Sequence, residues 1–238
     1  EGTFLSMWST TDEPYACRRI AIDGSGNIYL ACAHYVYPDS FPSIKKFDST
    51  GVFLGQINST GSGDGQLSSL NGIALDGLGN LYVADGVSDW PGHNDRIQKF
   101  SGDGQFLASY GESGQGEGQF QRPASVAVDD EGFIYVADWG NERVQILGPD
   151  GSFQVLLQGE ATVSKWADDY FASNPEEKVE RDNANLMPEL PDHLSSPYHV
   201  SSQTESYFWG PVSVSLDGAG RLYVTETNRH RFQVYQKQ

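Results

Sequence analysis

Apolar and polar residues alternate along this chain in short runs broken by glycine and aspartate. "RRIAIDGSGNIYLAC" from Arg18 is an alternating run, an Asp-Gly turn, then a second run. A period of two between turn residues predicts half-buried strands rather than helices. The arrangement recurs as "NGIALDGLGNLYVAD" from Asn71, "ASVAVDDEGFIYVAD" from Ala124 and "VSVSLDGAGRLYVTE" from Val212. Asp23, Asp76, Asp129 and Asp217 fall in one column, spaced 53, 53 and 88 residues apart. Each copy predicts a hairpin.

A third strand follows every hairpin: "SIKKF" at Ser43, "RIQKF" at Arg96, "RVQIL" at Arg143 and "RFQVY" at Arg231. After the first three, a glycine turn leads to a fourth: "GVFLGQIN" from Gly51, "GQFLASYG" from Gly104 and "GSFQVLLQG" from Gly151. Four antiparallel strands, repeated with connecting loops, make the blade of a β-propeller. The fourth copy stops after three strands. The opening "EGTFLSMWS" reads like the absent one, so a strand over Thr3–Ser9 paired with Arg231–Gln236 is expected to close the last blade and hide its edge.

The motif, a small residue or proline, then [IV]-A-[VL]-D, G-x-[IL]-Y-V-A-D and N-x-R-[IV]-Q-x-F, resembles the NHL repeat. The fullest copy is "RPASVAVDDEGFIYVADWGNERVQIL", Arg122 to Leu147. The resemblance implies one all-β propeller domain over 1–238. It covers the chain apart from about 50 residues after Gly159. The family's propellers usually have six blades against four repeats here, which leaves open a closed four-bladed ring, an arc of a larger ring, or blades supplied by another chain. The insertion at 160–210 reads as mainly helical. "TVSKWADDYFASN" places Val163, Trp166, Tyr170 and Phe171 near one face, and Asn174, Pro175 and Glu177 form a capping-box start. "PYHVSSQTESYFWGP" reads as a hairpin, and the whole as a lid packing Trp166, Phe171, Phe208 and Trp209 onto the propeller or covering a central pocket.

The formal charge of −17 disfavours nucleic acid and anionic membrane surfaces, and favours cations and basic partners. No apolar run reaches membrane-spanning length, so no membrane insertion is expected. A start at Glu1 with no leader-like stretch reads as a processed or trimmed form. Cys17 and Cys32 face each other if the "DGSG" turn is tight, and lie diagonal if it is two residues wider; a disulfide there would point to an oxidising compartment, extracellular or periplasmic.

One propeller face has only short turns, which makes the Asp column structural. The other gathers every long loop, all five histidines and most of the negative charge, and is where ligands are expected. The candidate ligand-binding residues there are His34, Tyr37, Trp90, His93, His199, Trp209 and His230. No zinc spacing is present, and a divalent cation, calcium or zinc, is an open alternative to having no cofactor. "GSGDGQL" and "GQGEGQF" read as flexible inter-blade turns rather than phosphate loops. Asp85, Asp138 and Glu226, each followed by Arg96, Arg143 or Arg231, read as intra-blade ion pairs. The expected function is a non-catalytic scaffold presenting this face to a protein or small-molecule ligand. A metal-dependent lyase or hydrolase in the central channel, and a structural or assembly module capable of self-association, are the alternatives.

Overall fold

A computed structural model of the protein describes residues 3–4, 7, 15–36, 39–86, 94–163, 165–186 and 189–237. The first blade is β1 (Tyr15–Ile22), β2 (Ile28–Val36), β3 (Asp39–Phe47) and β4 (Phe53–Ile57). The second is β5 (Leu70–Leu75), β6 (Leu81–Asp85), β7 (Arg96–Phe100) and β8 (Phe106–Tyr110). A two-residue parallel pair, β9 (Glu112–Ser113) and β10 (Gln119–Phe120), precedes the third blade: β11 (Pro123–Val128), β12 (Ile134–Asp138), β13 (Arg143–Leu147) and β14 (Phe153–Leu157). Helices α1 (Lys165–Ser173), α2 (Pro175–Asp182) and α3 (Pro197–Gln203) come next, and the fourth blade is β15 (Pro211–Leu216), β16 (Arg221–Glu226) and β17 (Arg231–Gln236). Each blade is an antiparallel meander in chain order, three-stranded in the fourth blade among the described residues. The closing strand expected over Thr3–Ser9 lies largely outside the described residues; Phe4 and Met7 are exposed and belong to no strand.

The alternation fixes the packing, because successive side chains point to opposite faces of a strand. Tyr82, Ala84 and Ile97 of the second blade meet Val126, Ile134, Val136 and Leu147 of the third. One repeat on, Tyr135, Ala137 and Val144 meet Val214, Leu222 and Val224. Tyr29 and Ile44 of the first blade pack likewise on Leu81, Val83 and Phe100. The innermost strands touch in the order β1, β5, β11, β15. Their approach is close: a Cβ on Gly72 would lie 2.7 Å from the Ser125 Cα, so this position in β5 needs glycine.

In the first hairpin Cys17 pairs directly with Cys32, and the two form a disulfide. The turn is one residue wider than the tight form, pairing Ile22 with Ile28, and a bulge between Cys17 and Arg19 brings the two cysteines opposite each other. The insertion departs from expectation in three places. "PYHVSSQ" is helix α3 rather than a hairpin strand, because Pro197 sits at the first turn and the Ser196 hydroxyl accepts the His199 N–H. Asn174 does not cap α2 with its side chain; its amide instead donates to the Tyr170 carbonyl. Finally, Trp166 is 75% exposed and stacks on Tyr170 rather than on the propeller, whereas Phe208 is fully buried against Tyr235.

Candidate functional site

The short-turn face is built for geometry. In each repeat the Asp carboxylate accepts backbone N–H groups two and four residues ahead: Ser25 and Asn27 to Asp23, and Ala219 and Arg221 to Asp217. Gly26, Gly79, Gly132 and Gly220 supply the positive φ, 72–87°, that closes the turn. The same carboxylates accept the hydroxyls of Tyr135 and Tyr223. These carboxylates are taken up within their own turns, and Asp129 also pairs with Lys237 from the end of the fourth blade.

The opposite face is held by a recurring acid–arginine–glutamine set. Asp138 accepts from Arg143 Nε at 2.7 Å and Gln145 Nε2 at 3.2 Å, and from the Gln121 N–H at 2.7 Å. The Arg143 guanidinium then binds the carbonyls of Gln115, Gly116 and Gln119, and the Gln145 carbonyl accepts from Gly118. Asp85, Arg96 and Gln98 repeat this around Ser62, Gly63 and Gln66. Glu226, Arg231 and Gln233 use the Glu205–Tyr207 carbonyls. The glycine-rich loops expected to be flexible are thus pinned, because a buried guanidinium satisfies carbonyls that would otherwise face water or nothing.

Where the insertion meets the propeller, an aromatic and cationic ridge forms. Tyr198 packs edge-on to both His199 and Trp209, at 5.7 Å in each case. The Arg229 guanidinium lies 5.6 Å from the Trp209 ring and donates to the Ser201 and Thr204 carbonyls. Trp209 Nε1 and Arg229 Nε are buried without a hydrogen-bond partner. Beside the ridge, α3 and the Asn141–Arg143 segment wall a cleft of about 260 Å³. Glu142 lies in it, buried, in the left-handed region at φ 55°, and accepts the Gly210 N–H. Burial pushes its carboxyl up to about 7, and the charge of Glu226 adds to the shift.

A second cavity, of about 360 Å³, takes residues from the innermost strands of all four blades: Arg19, Asn71, Ala124 and Val212. None of the described insertion residues lines it, whereas Ser195, Pro197, Val200, Ser201 and Tyr207 line the lateral cleft.

Of the residues singled out from sequence, His199 and Trp209 meet in the ridge. His230 follows Arg229 in the β16–β17 turn, at φ 51° and exposed. Tyr37, Trp90 and His93 lie outside the described residues, and for His34 only the backbone is placed, paired with Tyr15 and Phe41. Among the described residues no three of His, Cys, Asp and Glu converge to hold a metal ion. No described helix is long and apolar enough to cross a membrane. Sequence reasoning missed Glu142. Its signal was the position just before the third strand, occupied by Asp95, Glu142 and His230 in the last three repeats.

The NHL repeat model matches residues 120–147 and 208–235, the third and fourth blades. Human NHL repeat-containing protein 3 is 32% identical over 156 residues, which cover 63% of this chain and 44% of that protein. The mouse protein of the same name is 33% identical over the same shares. The chain thus spans somewhat less than half the length of these relatives. A solved structure of a Bacteroides caccae protein of unknown function shares the fold, with a TM-score of 0.52 at 14% identity over 94% of this chain and 58% of that one. With its repeated Asp turns, its acid–arginine pairs and its four stacked antiparallel blades, the chain is a β-propeller whose third and fourth blades match the NHL repeat.

Proposed function

We propose that this protein is a non-catalytic binding scaffold whose loop-rich face engages a peptide segment of a partner at the ridge of Tyr198, His199, Trp209 and Arg229. One observation carries the reading: Trp209 Nε1 and Arg229 Nε are buried donors without partners beside an aromatic ridge. A buried unpaired donor costs about 1–3 kcal/mol, so an arriving acceptor is strongly favoured. Peptide carbonyls are such acceptors, and Tyr and Trp provide large contact area at small entropic cost. The chain's formal charge of −17 suits a segment with basic side chains.

The test is to select peptides from a displayed random library on the intact protein and measure their affinity for three variants. Trp209→Phe keeps the ring and removes the donor, Tyr198→Ala removes part of the ridge, and Leu78→Ser alters the short-turn face. The first two should weaken binding and the third leave it unchanged. The opposite pattern would discard the reading.

A further inference from the structure

We infer that the lateral cleft beside the ridge receives a basic side chain, the alkyl ammonium or guanidinium of a partner's lysine or arginine, paired with the Glu142 carboxylate. Glu142 and Arg143 are the charged residues lining the cleft among the described residues. The Arg143 guanidinium is already matched, by Asp138 and by the carbonyls of Gln115, Gly116 and Gln119. Glu142 is not. Its Oε2 accepts the Gly210 N–H, and its Oε1 receives no hydrogen bond among the described residues. The nearby acid, Glu226, has its own oxygens taken by Arg231, Gln233 and the Trp209 N–H.

A second feature of the cleft points the same way. Asn141 also lines it and is 6% exposed. Its Nδ2 donates to the Gly114 carbonyl at 2.8 Å and to Asp138 Oδ2 at 2.9 Å. Both partners only accept, so the amide cannot be turned over. Asn141 Oδ1 is thereby fixed as an acceptor, and it is buried without a partner among the described residues. The rest of the wall is uncharged, with Gln115, Gln158, Ser195, Ser201 and Tyr207 in it. Two open acceptors on adjacent residues, one able to carry a charge, suit a donor that is positive. Burial raises the Glu142 carboxyl to about 7, so an entering cation displaces its proton, which passes to solvent. The histidines of the insertion, His193 and His199, do not line the cleft, and His199 Nδ1 lies 2.7 Å from Ser196 Oγ. Arg229 is turned to the Ser201 and Thr204 carbonyls. That the cation arrives on a peptide rests on the ridge reading; the preference of the cleft for a cation does not.

The experiment titrates the intact protein at fixed ionic strength with n-butylammonium, n-butylguanidinium and neutral N-butylurea, following the Gly210 amide resonance. These probes carry no peptide, so they test the cleft apart from the ridge. At pH 8 a saturable shift is expected with at least one cation, and binding of N-butylurea at least about tenfold weaker. Affinity for the cation should fall about tenfold from pH 8 to pH 6, where the carboxyl must first release its proton. Ammonium alone would identify lysine as the side chain received, guanidinium alone arginine. Glu142→Gln should weaken the cation at least about tenfold and abolish the pH dependence, which titration of a histidine would leave in place. Lys178→Gln, on the exposed surface of α2, should change neither. No saturable shift with either cation, equal affinity for N-butylurea, or unchanged binding in folded Glu142→Gln overturns the inference; should that variant fail to fold, the cations against N-butylurea at the two pH values decide alone.

Discussion

At Glu142 a left-handed backbone, a buried carboxyl and a bond from the Gly210 N–H coincide. Its carboxyl rises from 4.5 to about 7, chiefly through burial, so the folded state holds a proton that the unfolded state has released. The sign follows: between pH 4.5 and about 7 the folded form binds more protons, and its stability falls as pH rises through that window, then stays flat. The full shift corresponds to roughly 3–4 kcal/mol, of which roughly 2–3 kcal/mol falls between pH 5 and pH 8. Glu142→Gln keeps a carbonyl to accept the Gly210 N–H and cannot ionise. Denaturant unfolding at pH 5 and pH 8 should therefore differ less in the variant by about that amount. An unchanged difference would mean that Glu142 is solvated in the folded protein. Asp217 shows the opposite case. The Arg221 N–H and then its guanidinium bring it down to about 2, so its contribution is lost only as pH falls from 3.8 toward that value.

Among the elements, the acid–arginine–glutamine set and the disulfide occupy the same place in the blade. Cys32 stands in the column of Asp85, Asp138 and Glu226, and Ser43 stands where Arg96, Arg143 and Arg231 begin the third strand. A covalent link ties the first hairpin where the other blades use an ion pair. Arg143→Ala leaves Asp138 buried beside three unbound carbonyls, and should cost about 3–5 kcal/mol. Amide exchange should quicken at Gly114, Gly118 and Gln119, whose N–H groups bond within or onto this loop. Cutting the Cys17–Cys32 link with a reductant, or replacing both cysteines by serine, should cost about 3 kcal/mol, the cost expected for a loop of 15 residues. Urea unfolding with and without reductant would measure it, and identical midpoints would mean the link contributes nothing. These elements were legible in the sequence because their causes are local: a period of two, an Asp-Gly turn, an arginine opening a strand. Helix α3 was hidden because the aromatic residues of "PYHVSSQTESYFWGP" mask a Ser-Pro start.

For the whole molecule, one sequence pattern has two fates. Ile97, Val144 and Phe232 occupy the same column of the third strand, yet Ile97 is 0% exposed, Val144 0% and Phe232 65%. Val126 and Ile20 share a column of the first strand, with 3% and 61% exposure. The buried members lie between stacked blades. The exposed ones lie on the outward sides of the first and fourth blades, where no described blade follows. No periodicity can reveal this, since burial there depends on what stands next to a blade and not on the blade's own residues. The same truncation should therefore have unequal effects. Ile97→Ala removes methylenes from a closed interface and should cost about 2–5 kcal/mol. Phe232→Ala, a larger deletion by volume, removes surface already in water and should change stability by about 0.5 kcal/mol or less. Urea midpoints at unchanged m-values, measured at a protein concentration where sedimentation shows a monomer, make the comparison clean. If Phe232→Ala proved as costly as Ile97→Ala, the outward face of the fourth blade would be covered in solution, and the four blades would have to be read as part of a closed assembly.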